Sequence, residues 1–209
     1  MKQFYKKEWQ HFKHDYKVPF FILMTISIVL AIILYVGLVN QPQVANEIFK
    51  QLSKQFEEAG AFEDITSGSL FTFLLKNNLR AVFITVLLGF IPFLFLSSIS
   101  SIATTASVGV ILAVTKINGG NAGMLFLTGI VPHGVLELPA IFLAGSIGIY
   151  LCMQTFRKLF TGKGKDVRYT QVLKQVGTSF LFVVVPMIIL AAVIEAFITP
   201  ILILKFGGV

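Results

Sequence analysis

The chain has 209 residues, 56% hydrophobic and 13% charged, with 17 Lys/Arg against 10 Asp/Glu and a mean hydropathy of +0.83. A soluble domain carries about twice that share of charge, so a cytosolic globular domain is excluded and the composition is that of a small polytopic membrane protein. The net charge of +7 raises nucleic acid as a partner, to be decided by where the cations lie, and the single cysteine, Cys152, excludes an intrachain disulfide framework and a multi-cysteine metal site.

The first element is a basic, aromatic lead. Tyr5, Trp9, Phe12 and Tyr16 recur along one stripe of a helix, with Lys2, Lys6, Lys13 and Lys17 on its flank. Rings at headgroup depth and lysines reaching lipid phosphates describe an interfacial helix over residues 1–17; a solvated basic tail is the plainer reading. From Val18 to Val39 there is no charge, and at about 1.5 Å per residue this run crosses a hydrocarbon core of roughly 30 Å. It reads as a retained span, because a cleaved signal would end in a small-x-small site, whereas Asn40-Gln41-Pro42 reads as a helix stop.

Residues 40–80 form the next segment. Ile48, Leu52 and Phe56 keep helical spacing until Gly60, and four basic residues face five acids (Glu47, Glu57, Glu58, Glu63, Asp64), which makes 40–80 the external loop. An amphipathic connector and a docking site for a soluble partner both fit it. The charge-free run Ala81–Thr115 is too long for one untilted span. Pro92 and Ser97-Ser98-Ile99-Ser100-Ser101 divide it, giving expected helices from about Arg80 to Leu96 and from about Ser101 to Thr115.

The run Ile117–Phe156 contains one acid, Glu137, and is interrupted by Pro132-His133-Gly134 and Pro139. Residues 121–131 are expected to be a short re-entrant or interfacial helix, and Leu136–Phe156 the crossing. Pro132 and Gly134 would make a tight break, with Glu137 in the first turn of the new helix, where the helix dipole favours negative charge. Ala140, Ala144 and Gly148 then repeat every four residues, a stripe for close helix packing. The basic loop 157–174 follows, including the Gly-Lys-Gly-Lys-Asp turn at 162–166, which lacks phosphate-loop spacing. Gln175–Leu204 is the last span, carrying Glu195 near its end.

Lys/Arg counts set the orientation. Residues 1–17 hold five and residues 157–174 six, eleven of the seventeen, so both segments are expected in the cytoplasm. An even number of crossings must separate them. That gives five spans, N-terminus in and C-terminus out, and turns the positive charge into a topology signal with no support for nucleic acid.

An acid well inside a span is costly and faces a cavity, a partner or a shared proton. Glu137 and Glu195 therefore head the candidate residues. His133 lies four residues before Glu137, a spacing that invites a metal or proton-relay reading, but two ligands make no zinc site, and His11 and His14 fall on the opposite side of the membrane. A hydrogen-bonded structural break is the plainer reading. His133, Glu137 and Glu195 are expected to meet in one polar cluster, with Lys116 or Arg80 as counter-charge. No nucleophile constellation, metalloprotease motif or phosphate-binding loop is present, so no enzyme, metal or cofactor is expected.

Four blocks carry a family likeness: the basic lead with the first span; Leu-Lys-Asn-Asn-Leu-Arg-Ala at 75–81; Gly-x-x-Pro-His-Gly-Val-Leu-Glu-Leu-Pro-Ala-Ile-Phe-Leu-Ala-Gly-Ser-Ile-Gly at 129–148; and Ala-Ala-Val-Ile-Glu-Ala-Phe-Ile-Thr-Pro at 191–200. The chain resembles the stage II sporulation protein M family of bacterial integral membrane proteins. That resemblance implies a five-span protein without known enzymatic activity. The name-giving member helps assemble a complex with cell-wall hydrolases that drives engulfment of the forespore, and other relatives accompany circular-bacteriocin gene sets. The expected fold is all-α, a single membrane domain over 1–209 built as a helical bundle, with five transmembrane helices, an N-terminal interfacial helix and a short re-entrant or interfacial helix. The expected function is a scaffold or assembly factor of the bacterial cell envelope, in contact with membrane lipids and protein partners such as cell-wall hydrolases. A transporter or permease-like component moving a lipid, peptide or ion with a transport ATPase is the alternative.

Overall fold

The computed structural model describes residues 2–58, 66–92, 95–161 and 168–206, without the side chain of Phe56. Gly60, Glu63, Asp64 and the basic turn at 162–166 lie outside the described residues. The fold is all-α. Among the described residues six helices follow one another: α1 (Lys2–Val39), α2 (Pro42–Glu58), α3 (Ser67–Phe90), α4 (Ser97–Ile117), α5 (Ala122–Phe160) and α6 (Tyr169–Phe206). All but α2 are long and apolar enough to cross a membrane.

Several boundaries correct the sequence expectations. The interfacial lead continues into the first span as one 38-residue helix. Helix α3 begins at Ser67 rather than near Arg80. Thr66 caps it, its Oγ1 accepting from the Ser69 N–H at 3.1 Å while its own N–H donates to Ser69 Oγ at 3.0 Å. Segment 40–80 is therefore no open loop: it holds α2 and the first half of α3. The expected break at Pro132-Gly134 is also absent, and residues 122–131 run without interruption into the crossing as one 39-residue helix.

Proline chemistry explains the continuity at four prolines, while Pro139, also expected to interrupt the run, lies inside α5 without a π turn directly before it. A proline ring collides with the carbonyl four residues earlier and donates no hydrogen bond, which normally kinks or stops a helix. Four prolines here are each preceded by a widened π turn: Phe12–Tyr16 before Pro19, Phe126–Ile130 before Pro132, Phe180–Val184 before Pro186, and Ile194–Ile198 before Pro200. In every case the residue four positions before the proline (Asp15, Thr128, Phe182, Ala196) lies inside the π turn, whose wider loop makes room for the ring. Pro42 instead starts α2, where no backbone donor is needed.

Helix α5 is the centre of the bundle, contacted by α1, α3, α4 and α6. Every residue from Ala140 to Gly148 is buried, as expected of a helix apolar on all sides. The small residues set the spacing: a side-chain carbon added to Gly148 would meet Ser97 and the Thr85 carbonyl, and one added to Gly145 would meet Leu23 and Ser101. Ser101 Oγ also donates across the contact to the Ile141 carbonyl at 3.2 Å. Helix α4 lies equally close to α1 at Gly109, where a Cβ would stand 2.5 Å from the Ala31 carbonyl oxygen. Helix α2 is docked through Ala45, Ile48 and Leu52 onto a second cluster formed by Leu38, Val110, Ala113 and Val114.

Gly109→Val is expected to destabilise the protein by about 3 kcal/mol, the upper range for overpacking, read as loss of monodisperse protein in a detergent thermal-unfolding series. Gly37→Ala is the control. Nothing stands within 4 Å of a Cβ at Gly37, so that variant should melt at or above the wild-type temperature.

Candidate polar site between the central and last helices

The unbroken start of α5 places His133 and Glu137 one turn apart on the same face, with Nε2 and Oε2 separated by 3.8 Å. Glu137 lies well inside α5, so the expected stabilisation at a helix N-terminus does not apply to it. On α6 the π turn Ile194–Ile198 carries Glu195, and one ligand atom from each of His133, Glu137 and Glu195 lies within 4.8 Å of the others. Thr199 completes the group, its Oγ1 3.4 Å from His133 Nδ1. The site is largely closed: the side chains of His133 and Glu137 are 13% and 12% exposed.

Lys116 and Arg80 do not join this group. Both are exposed, and among the described residues neither makes an ion pair with it. Lys116 instead borders a surface depression with Tyr35, Gly119 and Asn121. Glu195 has no hydrogen bond or ion pair to its carboxylate among the described residues. Two like charges this close in a weakly polar setting repel strongly, so the site needs a shared proton or a bound cation to neutralise it. The imidazole of His133 thus spans the group, with Nδ1 at Thr199 and Nε2 toward Glu137.

The packing stripe lies on the same helix, with Ala140 and Ala144 fully enclosed and Gly148 against α4 and the end of α3. The aromatic lead is divided. Tyr5 and Trp9 are 54% and 56% exposed, and Lys13 Nζ stands 5.3 Å over the Trp9 ring. Phe12 turns inward toward Phe20, and Tyr16 is buried in the main core edge-on to Tyr150.

Sequence reasoning missed the polar network that holds this lead down. Ser179 Oγ donates to the buried Glu8 carboxylate at 2.6 Å and lies 3.3 Å from Tyr16 Oη. Gln175 Nε2 donates to Asp15 at 2.8 Å and to Tyr16 Oη at 3.2 Å, while Tyr150 Oη donates to Gln175 Oε1 at 3.4 Å. The signal was the spacing of the two acids: Glu8 and Asp15 are seven apart with Phe12 between, so they share the inward face of a lysine-rich helix.

The stage II sporulation protein M family model matches residues 20–200, most of the chain, including the span of α5 and α6 that carries the polar site. No curated protein and no solved structure matches the sequence.

Ser179→Ala leaves the Glu8 carboxylate buried without its donor and is expected to cost about 2 kcal/mol, within the range for an unsatisfied buried polar group. Glu8→Leu combined with Ser179→Ala should cost less than the sum of the two single changes, because the partners are removed together. Thermal unfolding of the three variants in detergent measures this coupling.

Proposed function

Because the chain belongs to the stage II sporulation protein M family, we propose that it is a membrane scaffold that assembles an envelope complex by pairing with an acid-bearing partner inside the bilayer. Membership gives the coarse role, that of a sporulation- and envelope-related multi-pass membrane protein in a non-catalytic family. The finer reading rests on one observation about α3. Lys76 and Arg80 are exposed a turn apart, on a stripe that runs from Thr72 to Ile84.

The depth of that stripe is set by its neighbours. Phe71 packs against Phe197 and Phe83 against Phe180, so the two cations lie between levels that both fall within the apolar run of α6. A cation facing lipid near mid-span costs about 2.5–3.5 kcal/mol by insertion scales. A carboxylate on a neighbouring membrane helix removes that cost, which makes the stripe a recognition surface for a protein partner. The proposed orientation keeps both basic segments in the cytoplasm of a bacterial cell and the C-terminus outside, supported by the lysines of the lead and by Arg157, Lys158, Arg168 and Lys174 at the same end of the bundle. The apolar groove of about 440 Å³ beneath Tyr5, Trp9 and Phe12, floored by Pro139 and Leu143, suits a lipid chain as a further contact.

The polar site of α5 and α6 favours the second reading, a transporter or permease-like component, since titratable groups inside a bundle recur where ions or protons move.

A Lys76→Leu/Arg80→Leu double variant is expected to elute as a monodisperse protein and to lose at least tenfold in recovery of its native membrane partners in mild detergent, whereas Glu137→Gln should retain them. Unchanged recovery with the double variant overturns the scaffold reading. Flux in proteoliposomes that disappears with Glu137→Gln would establish the transporter instead.

A further inference from the structure

We propose that His133, Glu137 and Glu195 bind one divalent first-row transition-metal ion between α5 and α6. The three side chains offer one imidazole nitrogen and two carboxylate oxygens, a donor set suited to zinc, manganese, iron(II) or cobalt(II) and short of the six to eight oxygens that calcium takes. Their ligand atoms already lie within 4.8 Å of one another. Metal–ligand bonds of about 2.0–2.2 Å require separations of roughly 3 to 3.5 Å, so binding draws the ligand atoms in by about 1 Å.

Three further observations point to a cation. Glu195 has no donor among the described residues although a second carboxylate faces it, and neither Lys116 nor Arg80 reaches the pair. Two carboxylates balance a divalent ion, and a neutral assembly is what a weakly polar interior tolerates. The hydroxyl of Thr199 stands at His133 Nδ1, the position from which an outer partner fixes a ligating histidine with Nε2 directed at the metal. The ligands come from two helices, so an ion here clamps α6 to α5 and is a structural tie. It leaves open positions for water or a bound anion.

Equilibrium titration of the chelator-treated, tag-free chain in nanodiscs tests this, with cobalt(II) as the probe and zinc as competitor. One cobalt per chain is expected, with visible ligand-field bands that zinc displaces and a melting temperature that rises with metal. Glu195→Gln and His133→Asn should each weaken binding at least tenfold and abolish the metal-dependent rise in melting temperature. His11→Ala/His14→Ala should leave both unchanged. Where one ligand variant fails to fold, the other decides. No saturable binding to the wild type overturns the proposal, as does binding that persists in Glu195→Gln or that is lost in His11→Ala/His14→Ala.

Discussion

In hydrocarbon every backbone carbonyl and amide has to find its partner within the helix, and this bundle depends on meeting that requirement in helices that contain prolines. The π turns before Pro19, Pro132, Pro186 and Pro200 keep the rods continuous while shifting the register of the side chains that follow. Their placement has consequences at both ends of the bundle. The turn at Phe12–Tyr16 holds Asp15 and Tyr16, which bond α6 through Gln175, while the turn before Pro132 leads into His133 and the turn before Pro200 carries Glu195. Had the chain broken over Pro132-His133-Gly134, His133 would lie in the break and Glu137 in the helix after it, and the i, i+4 spacing would not set the ring against the carboxylate.

Close packing is the second constraint, and it follows from the first. Uninterrupted helices can lie backbone to backbone where residues are small, as Gly109 does on Ala31 and Gly89 on Gly148. Central placement of α5 then leaves its surroundings to decide what its polar residues meet. Toward one end, Glu137 finds Glu195 across the contact with α6; toward the other, Tyr150 meets Tyr16 and Gln175. Among the described residues, polar contacts link α6 to the rest of the chain at three levels, by Thr155 with Tyr169, by the hydrogen-bond network around Gln175 and Ser179, and by His133 with Thr199.

Charge on the outside carries a different meaning from charge within. Glu8 and Asp15 are acids in a lysine-rich lead and serve its docking, whereas Lys76 and Arg80 face outward from a span with no described partner. A single hydropathy profile gives both sets the same weight. Only the direction of each side chain separates an internal tie from a surface that asks for a neighbour.

Five apolar rods, their order and the candidate residues His133, Glu137 and Glu195 were legible in the sequence, because long charge-free runs and acids within them carry large transfer free energies that no packing choice reverses. The start of α3 was not, since Lys76, Asn77, Asn78 and Arg80 read as a polar loop until a cap at Thr66 is recognised. Nor was the continuity of α5, because a proline reads the same in a break as after a π turn and only the accommodation of its ring within a packed bundle separates the two. The partner of Glu137 was a matter of which helices become neighbours. The sequence offered His133, Glu137 and Glu195 as one cluster with Lys116 or Arg80 as its counter-charge, and the tertiary structure brings the first three together while leaving both cations outside, since α6 packs on α5 through apolar burial rather than through charge.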